Sequence, residues 1–187
     1  ILAGILAALV TTVLYAVWSF NKGIPGLRLW MLSFLSASVF CASLLVRDHL
    51  PQVLSVVLTQ VTIALSAYLA FLGSRAYMGR APVPHRYAAL AIAAVVAAAV
   101  YFTVVRPHLG VRFALAGSVS SVLFLATAHT LARGGFRNVP ARYLFVIVVT
   151  LHELFLLFRP LLFRMATPDA GQDAGADMVV LLSQFVV

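Results

Sequence analysis

The stretch Arg142-Tyr143-Leu144-Phe145-Val146-Ile147-Val148-Val149-Thr150-Leu151-His152-Glu153-Leu154-Phe155-Leu156-Leu157-Phe158-Arg159-Pro160 decides the fold. It is bounded by arginines and long enough to cross the roughly 30 Å of a bilayer's hydrocarbon core as a helix. A His-Glu pair sits near its middle. Ionisable groups at that depth cost about 2.5–3.5 kcal/mol each on insertion scales, so they face protein or water and often mark a functional site. Glu153 is the only glutamate in the chain.

Outward from this segment the rest of the chain repeats its pattern. Of 187 residues, 63% are hydrophobic and 10% are charged, with a mean hydropathy of +1.06. A soluble domain carries about 25% charged residues. The apolar residues fall into seven runs: Ile1 to Phe20, Leu29 to Val46, Val53 to Leu72, Tyr87 to Val105, Val111 to Ala132, Tyr143 to Phe163, and Met178 to beyond Val187. Most are close to the length of a spanning helix. The segments of about ten alternating residues that build a membrane barrel do not appear. The expected fold is therefore all-α: a polytopic membrane protein forming a single seven-helix domain over residues 1–187. The chain starts at Ile1 and stops inside an apolar run, so it reads as the membrane part of a longer protein.

The net charge of +8 comes from residues at the ends of apolar runs. That placement reports topology and phospholipid contact rather than nucleic-acid binding. Alternate loops hold Lys22, Arg28, Arg75, Arg80, Arg86, Arg133, Arg137 and Arg142 with no acid. The opposite loops hold Arg47, Arg106, Arg112, Arg159 and Arg164, offset by Asp48, Asp169, Asp173 and Asp177. The positive-inside rule places the first set in the cytoplasm, the N-terminus outside and the C-terminus inside. Gly and Pro mark the loops, as in Lys22-Gly23-Ile24-Pro25-Gly26. No loop has room for a folded domain, so a stimulus must arrive through lipid or within the bundle. The Ala- and Val-rich run from Tyr87 permits close backbone approach and is expected at the bundle centre or a helix interface. Trp18, Trp30, Tyr77, Tyr87 and Tyr143 read as interfacial anchors.

Counted at about 1.5 Å per residue, His152 and Glu153 lie near the midplane. Gln60, Ser118, Ser121 and Gln184 fall in the outer half of other segments, with Tyr101 and Cys41 nearer the surface. His152, Glu153, Arg159, Gln60 and Gln184 form the expected ligand-binding set. His152 and Arg159 share a helix face, where an imidazole and a guanidinium suit an anionic or polar head group, while Glu153 is turned about 100° away, where its carboxylate can pair with another helix or titrate. The plainer reading makes these groups interhelical hydrogen-bond glue. No cofactor is expected; haem or a metal is the third alternative, since His129 and His152 differ in depth and His49 with His108 lack a cysteine or carboxylate cluster. Cys41 stands alone, which excludes an internal disulfide.

Catalysis within this chain is not expected. There is no His-Glu-x-x-His zinc motif, no Gly-x-Ser-x-Gly elbow and no phosphate-cradling glycine loop. The sole lysine, Lys22, lies in a loop, so no retinal Schiff base can form inside the bundle.

Three stretches carry a resemblance. They are Lys22-Gly23-Ile24-Pro25-Gly26-Leu27-Arg28-Leu29-Trp30-Met31-Leu32-Ser33-Phe34, then Leu50-Pro51-Gln52-Val53-Leu54-Ser55-Val56-Val57-Leu58-Thr59-Gln60, then Gly73-Ser74-Arg75-Ala76-Tyr77-Met78-Gly79-Arg80. This pattern resembles the N-terminal membrane region of bacterial GGDEF-type diguanylate cyclases, and is similar to input modules of some membrane sensor histidine kinases. It covers about the first 90 residues; further on, only the layout is shared. Gln60 stands where the family pattern has Asn. The resemblance implies a sensor of the bacterial inner membrane, acting as a homodimer. A small or lipid-like ligand and membrane lipid would be its partners, and a cytoplasmic output domain making cyclic di-GMP would follow. Two rivals remain. One is a small seven-helix transporter or channel, which Pro51-Gln52 suits, although the last three segments do not repeat the first three. The other is a structural anchor that dimerises.

Overall fold

A computed structural model describes residues 2–81, 83–106, 109–133 and 140–166, with side chains described except at 48, 109, 110, 112–116, 140–142 and 159–166. Six helices run in chain order: α1 (Leu2–Phe20), α2 (Leu27–Leu45), α3 (Gln52–Tyr77), α4 (His85–Val104), α5 (Leu109–Ala132) and α6 (Pro140–Ala166). A short 3-10 turn, Arg47–His49, joins α2 to α3. No strand occurs among the described residues. The seventh apolar run, with Gln184, lies outside them. Among the described residues, four helices, α1 to α4, are long and apolar enough to cross a membrane. Within the described side chains of α5 and α6 the apolar stretches are shorter, Gly117–Ala132 and Tyr143–Phe158.

Burial runs opposite to that of a soluble domain. The interior is mostly small and polar, with Ser33, Ser36, Ser55, Thr62, Ser66, Ser74, Ser121 and Thr127 among the buried side chains. Leu2, Leu6, Phe20, Leu90, Leu144, Leu151 and Phe158 are exposed. In lipid, apolar surface gains nothing by leaving its surroundings. Helices then associate through close backbone packing and interhelical hydrogen bonds, which favour small residues at contacts. The fold is all-α and consistent with a helical membrane protein.

Consecutive helices pack on each other, and α3 is the hub, touching α2, α4 and α5. The Ala-rich α4 is therefore not central, as one of its two expected placements would have it. It packs on α3 and α5, buries Val95, Ala99 and Thr103, and leaves the rest of its surface half-buried or exposed. The strips at either edge have one neighbour each among the described helices: α1 packs on α2, and α6 packs on α5.

Helix limits follow local chemistry. Pro140 opens α6, at the first helical position, where a missing N–H costs nothing. Gly26 precedes α2 with φ of 82°, a left-handed conformation that favours glycine. The third apolar run was expected to end at Leu72, yet α3 continues to Tyr77. Its last residues are polar or small, but Trp30 and Gly26 at the start of α2 hold them in the helix, as described below. Beyond Met78 the chain turns through Gly79, with φ of 66°, and Arg75 closes this turn by donating from Nε and Nη2 to the Ala81 carbonyl at 3.0 and 2.6 Å.

Candidate functional site

The α5–α6 hairpin brings two mid-helix residues together. Ser121 lies midway between Leu109 and Ala132, and Glu153 lies midway between Pro140 and Ala166. In a hairpin, residues at similar distances from the turn meet, and here Ser121 Oγ donates to Glu153 Oε2 at 2.7 Å. Both side chains are buried, with Ser121 fully enclosed. The second carboxylate oxygen, Oε1, lies 3.1 Å from His152 Nδ1. With the carboxylate as acceptor, His152 donates from Nδ1, which leaves Nε2 as the imidazole's other polar atom. The His152 side chain is 49% exposed against 6% for Glu153. The pair thus joins a buried carboxylate to a half-exposed imidazole at the edge of the fold.

This arrangement satisfies a carboxylate that would otherwise be costly among apolar helices. Of the two roles expected for Glu153, the structure shows the pairing with another helix, with Ser121 of α5 as the partner. The signal was available in the sequence as two polar residues equally far from one turn. The adjacency of His152 to Glu153 offered no such signal, because neighbouring helix residues ordinarily diverge by about 100°.

The remaining expected site residues are distributed differently. Gln60 is buried in α3, and its Oε1 has no hydrogen-bond partner among the described residues; the same is true of Ser120 Oγ in α5. The hydrogen bonds of Glu153 do not reach Gln60. The backbone of Arg159 is helical, one turn before the last of α6, while its side chain and the whole of Gln184 lie outside the described residues. His108, half of the outer histidine pair, also lies outside them. No group of three or more His, Cys, Asp or Glu side chains able to hold a metal occurs among the described residues. Cys41 is half-buried and faces α1, where its Cβ would lie 3.0 Å from a Cβ added to Gly4.

The densest polar contacts lie between α2 and α3. Ser33 Oγ donates to the Ser66 carbonyl at 2.8 Å, and Ser66 Oγ donates to the Ser33 carbonyl at 2.9 Å. One turn on, Ser36 Oγ donates to the Thr62 carbonyl at 2.9 Å. Nearer the turn after α3, Gly26 and Gly73 touch backbone to backbone: a Cβ on Gly26 would fall 2.1 Å from the Gly73 carbonyl oxygen. Trp30 covers this crossing. Its Nε1 donates to Ser74 Oγ at 3.2 Å, and its ring lies 5.2 Å from that of Tyr77. Trp30 and Tyr77 therefore clasp two helices, a role beyond the interfacial anchoring expected of them. Two of the three stretches that carry the resemblance are those that meet in this clasp. Their Gly, Trp, Ser and Tyr residues have a packing reason to occur together.

A second link joins α3 to α4, where Tyr68 Oη and His85 Nδ1 lie 2.9 Å apart. At the α5–α6 seam a shallow groove of about 310 Å³ opens, lined by Leu125, Ala128, His129, Ala132, Val146 and Thr150.

The helices and the buried pair define the class: an all-α protein consistent with a helical membrane protein, with one carboxylate held inside it. Comparison of the chain with protein-family models, curated proteins and solved structures gives no match.

Proposed function

We propose that the chain is a membrane-embedded signal-input module in which the Ser121–Glu153 joint couples ligand binding to the position of α6. The observation that carries this reading is the burial of Glu153 at the middle of a helix whose only described neighbour is α5. In this reading α6, which packs on α5 alone among the described helices and carries the Ser121–Glu153 bond, moves between two packings. A ligand that favours one of them shifts the balance. In this reading His152 and Glu153 receive the polar part of a small or lipid-like ligand, with Arg159, Gln60 and Gln184 completing the set. The displacement of α6 passes along the chain to a cytoplasmic output domain following residue 187. The resemblance of residues 22–80 implies that this output is a diguanylate cyclase, working as a homodimer at the bacterial inner membrane.

The test is the coding sequence beyond Val187. A Gly-Gly-Asp/Glu-Glu-Phe cyclase or a kinase core, in frame within about a domain's length of 100–150 residues, is the expected result. A stop codon shortly after Val187 contradicts the reading. The small transporter or channel would then take its place, because an intramembrane carboxylate also serves ion or proton passage.

A further inference from the structure

The groove between α5 and α6 continues the seam that Ser121 and Glu153 close. On α5, Ser121, Leu125, Ala128, His129 and Ala132 follow the spacing of one helix face, and on α6 Val146 and Thr150 lead to Glu153 in the same way. The buried carboxylate joint lies about one turn beyond the groove's Leu125 and Thr150. At the other end His129 lines the groove, and the exposed, positively charged Arg133 follows four residues on, just past the end of α5. The wall between them is apolar apart from Thr150. From Ser121 to Arg133 is about 18 Å along the helix axis, close to one leaflet's half of a hydrocarbon core about 30 Å thick. A slot that is open at its side, apolar along its length and basic at its mouth has the complementarity of a single lipid. Basic pockets between membrane helices commonly take anionic head groups.

We propose that this groove binds an anionic phospholipid, with one acyl chain lying between α5 and α6 and its phosphate at His129 and Arg133. The chain's end then abuts the Ser121–Glu153 joint, so occupancy wedges the two helices at the point that holds α6. The consequence for signalling rests on the input-module reading. The binding itself does not, and it is measured on the 187-residue chain without any output.

The experiment is native mass spectrometry of the purified chain in detergent, titrated with palmitoyl-oleoyl phosphatidylglycerol or the matching phosphatidylcholine. Retention of one phosphatidylglycerol, about fivefold or more over phosphatidylcholine, is the expected result. Arg133→Gln, at an exposed position, should lower that preference about fivefold, and His129→Gln should lower it further. Ala132→Phe, which fills the groove from an exposed site, should lower retention of both lipids. Equal retention of the two lipids by the unmodified chain, or retention unmoved by Arg133→Gln and Ala132→Phe alike, overturns the proposal. So does a dimer mass that Ala132→Phe abolishes in place of a lipid adduct, because it assigns the groove to a second copy. Inorganic phosphate that displaces the lipid completely would identify a free-anion site and also overturn it.

Discussion

Replacing Gly26 with alanine tests the α2–α3 crossing on which the rest of the fold is assembled. Two costs apply. The residue has φ of 82°, and a left-handed backbone costs an L-residue with a side chain about 1–2 kcal/mol. The new Cβ would also lie 2.1 Å from the Gly73 carbonyl oxygen and 3.1 Å from the Tyr77 amide nitrogen. Both are backbone atoms of α3, so no side chain can rotate away and the helices must separate. Overpacking of this kind costs about 1–3 kcal/mol more. Gly79 supplies the control, because it has φ of 66° and nothing within 4 Å of its would-be Cβ. Gly79→Ala should show the backbone cost alone. Gly23→Ala, with no positive φ and open space, should be nearly neutral. The assay is the unfolding midpoint of the detergent-solubilised protein in a graded SDS titration. The expected order is Gly26→Ala well below Gly79→Ala, with Gly23→Ala close to the parent. If Gly26→Ala were no more harmful than Gly79→Ala, the close approach of α2 and α3 would be refuted.

Other outcomes follow from the same interface. Trp30→Phe should destabilise by about 1–3 kcal/mol, because Ser74, fully buried, loses its partner. Adding Ser74→Ala should recover part of that loss, and a further loss in SDS unfolding would count against the bond. Ser33→Ala and Ser66→Ala should each cost about 0.6–1.7 kcal/mol, the range for interhelical hydrogen bonds in membranes, as read by the same titration. Tyr68→Phe removes the hydroxyl that meets His85 and should increase hydrogen exchange at the start of α4 while leaving α2 unchanged.

What the sequence disclosed and what it withheld have separate physical origins. Helix positions were legible because a bilayer demands long apolar runs, so the first six runs coincide with α1 to α6 to within a few residues. The largest shift is at the end of α3, where Gly73, Ser74 and Tyr77 read as loop residues by composition but are held in a helix by Trp30. Lateral order was not legible. The central place belongs to α3, whose Ser55, Thr59, Thr62, Ser66 and Gly73 recur at helical spacing, a small-residue stripe subtler than the Ala run of α4. In the site, Glu153 stood out as a lone carboxylate at mid-depth, whereas its bond to Ser121 depends on how two helices face each other. Periodicity gives depth and face, but the choice of neighbour comes from packing.

On the input-module reading, the measurement that bears most directly on the account is the output of the longer protein proposed to contain this chain, carrying Glu153→Gln or Ser121→Ala, at membrane levels matched to the parent. For a cyclase output, the readout is cyclic di-GMP formed per molecule. Ser121→Ala removes a bond worth about 0.6–1.7 kcal/mol and should shift the balance between the two packings of α6, and hence the output, by about three- to twentyfold. Glu153→Gln keeps an acceptor for Ser121 but removes its charge, and should shift the output in the same direction by less. Unchanged output from both variants would contradict the account and return Ser121 and Glu153 to a purely structural bond between α5 and α6.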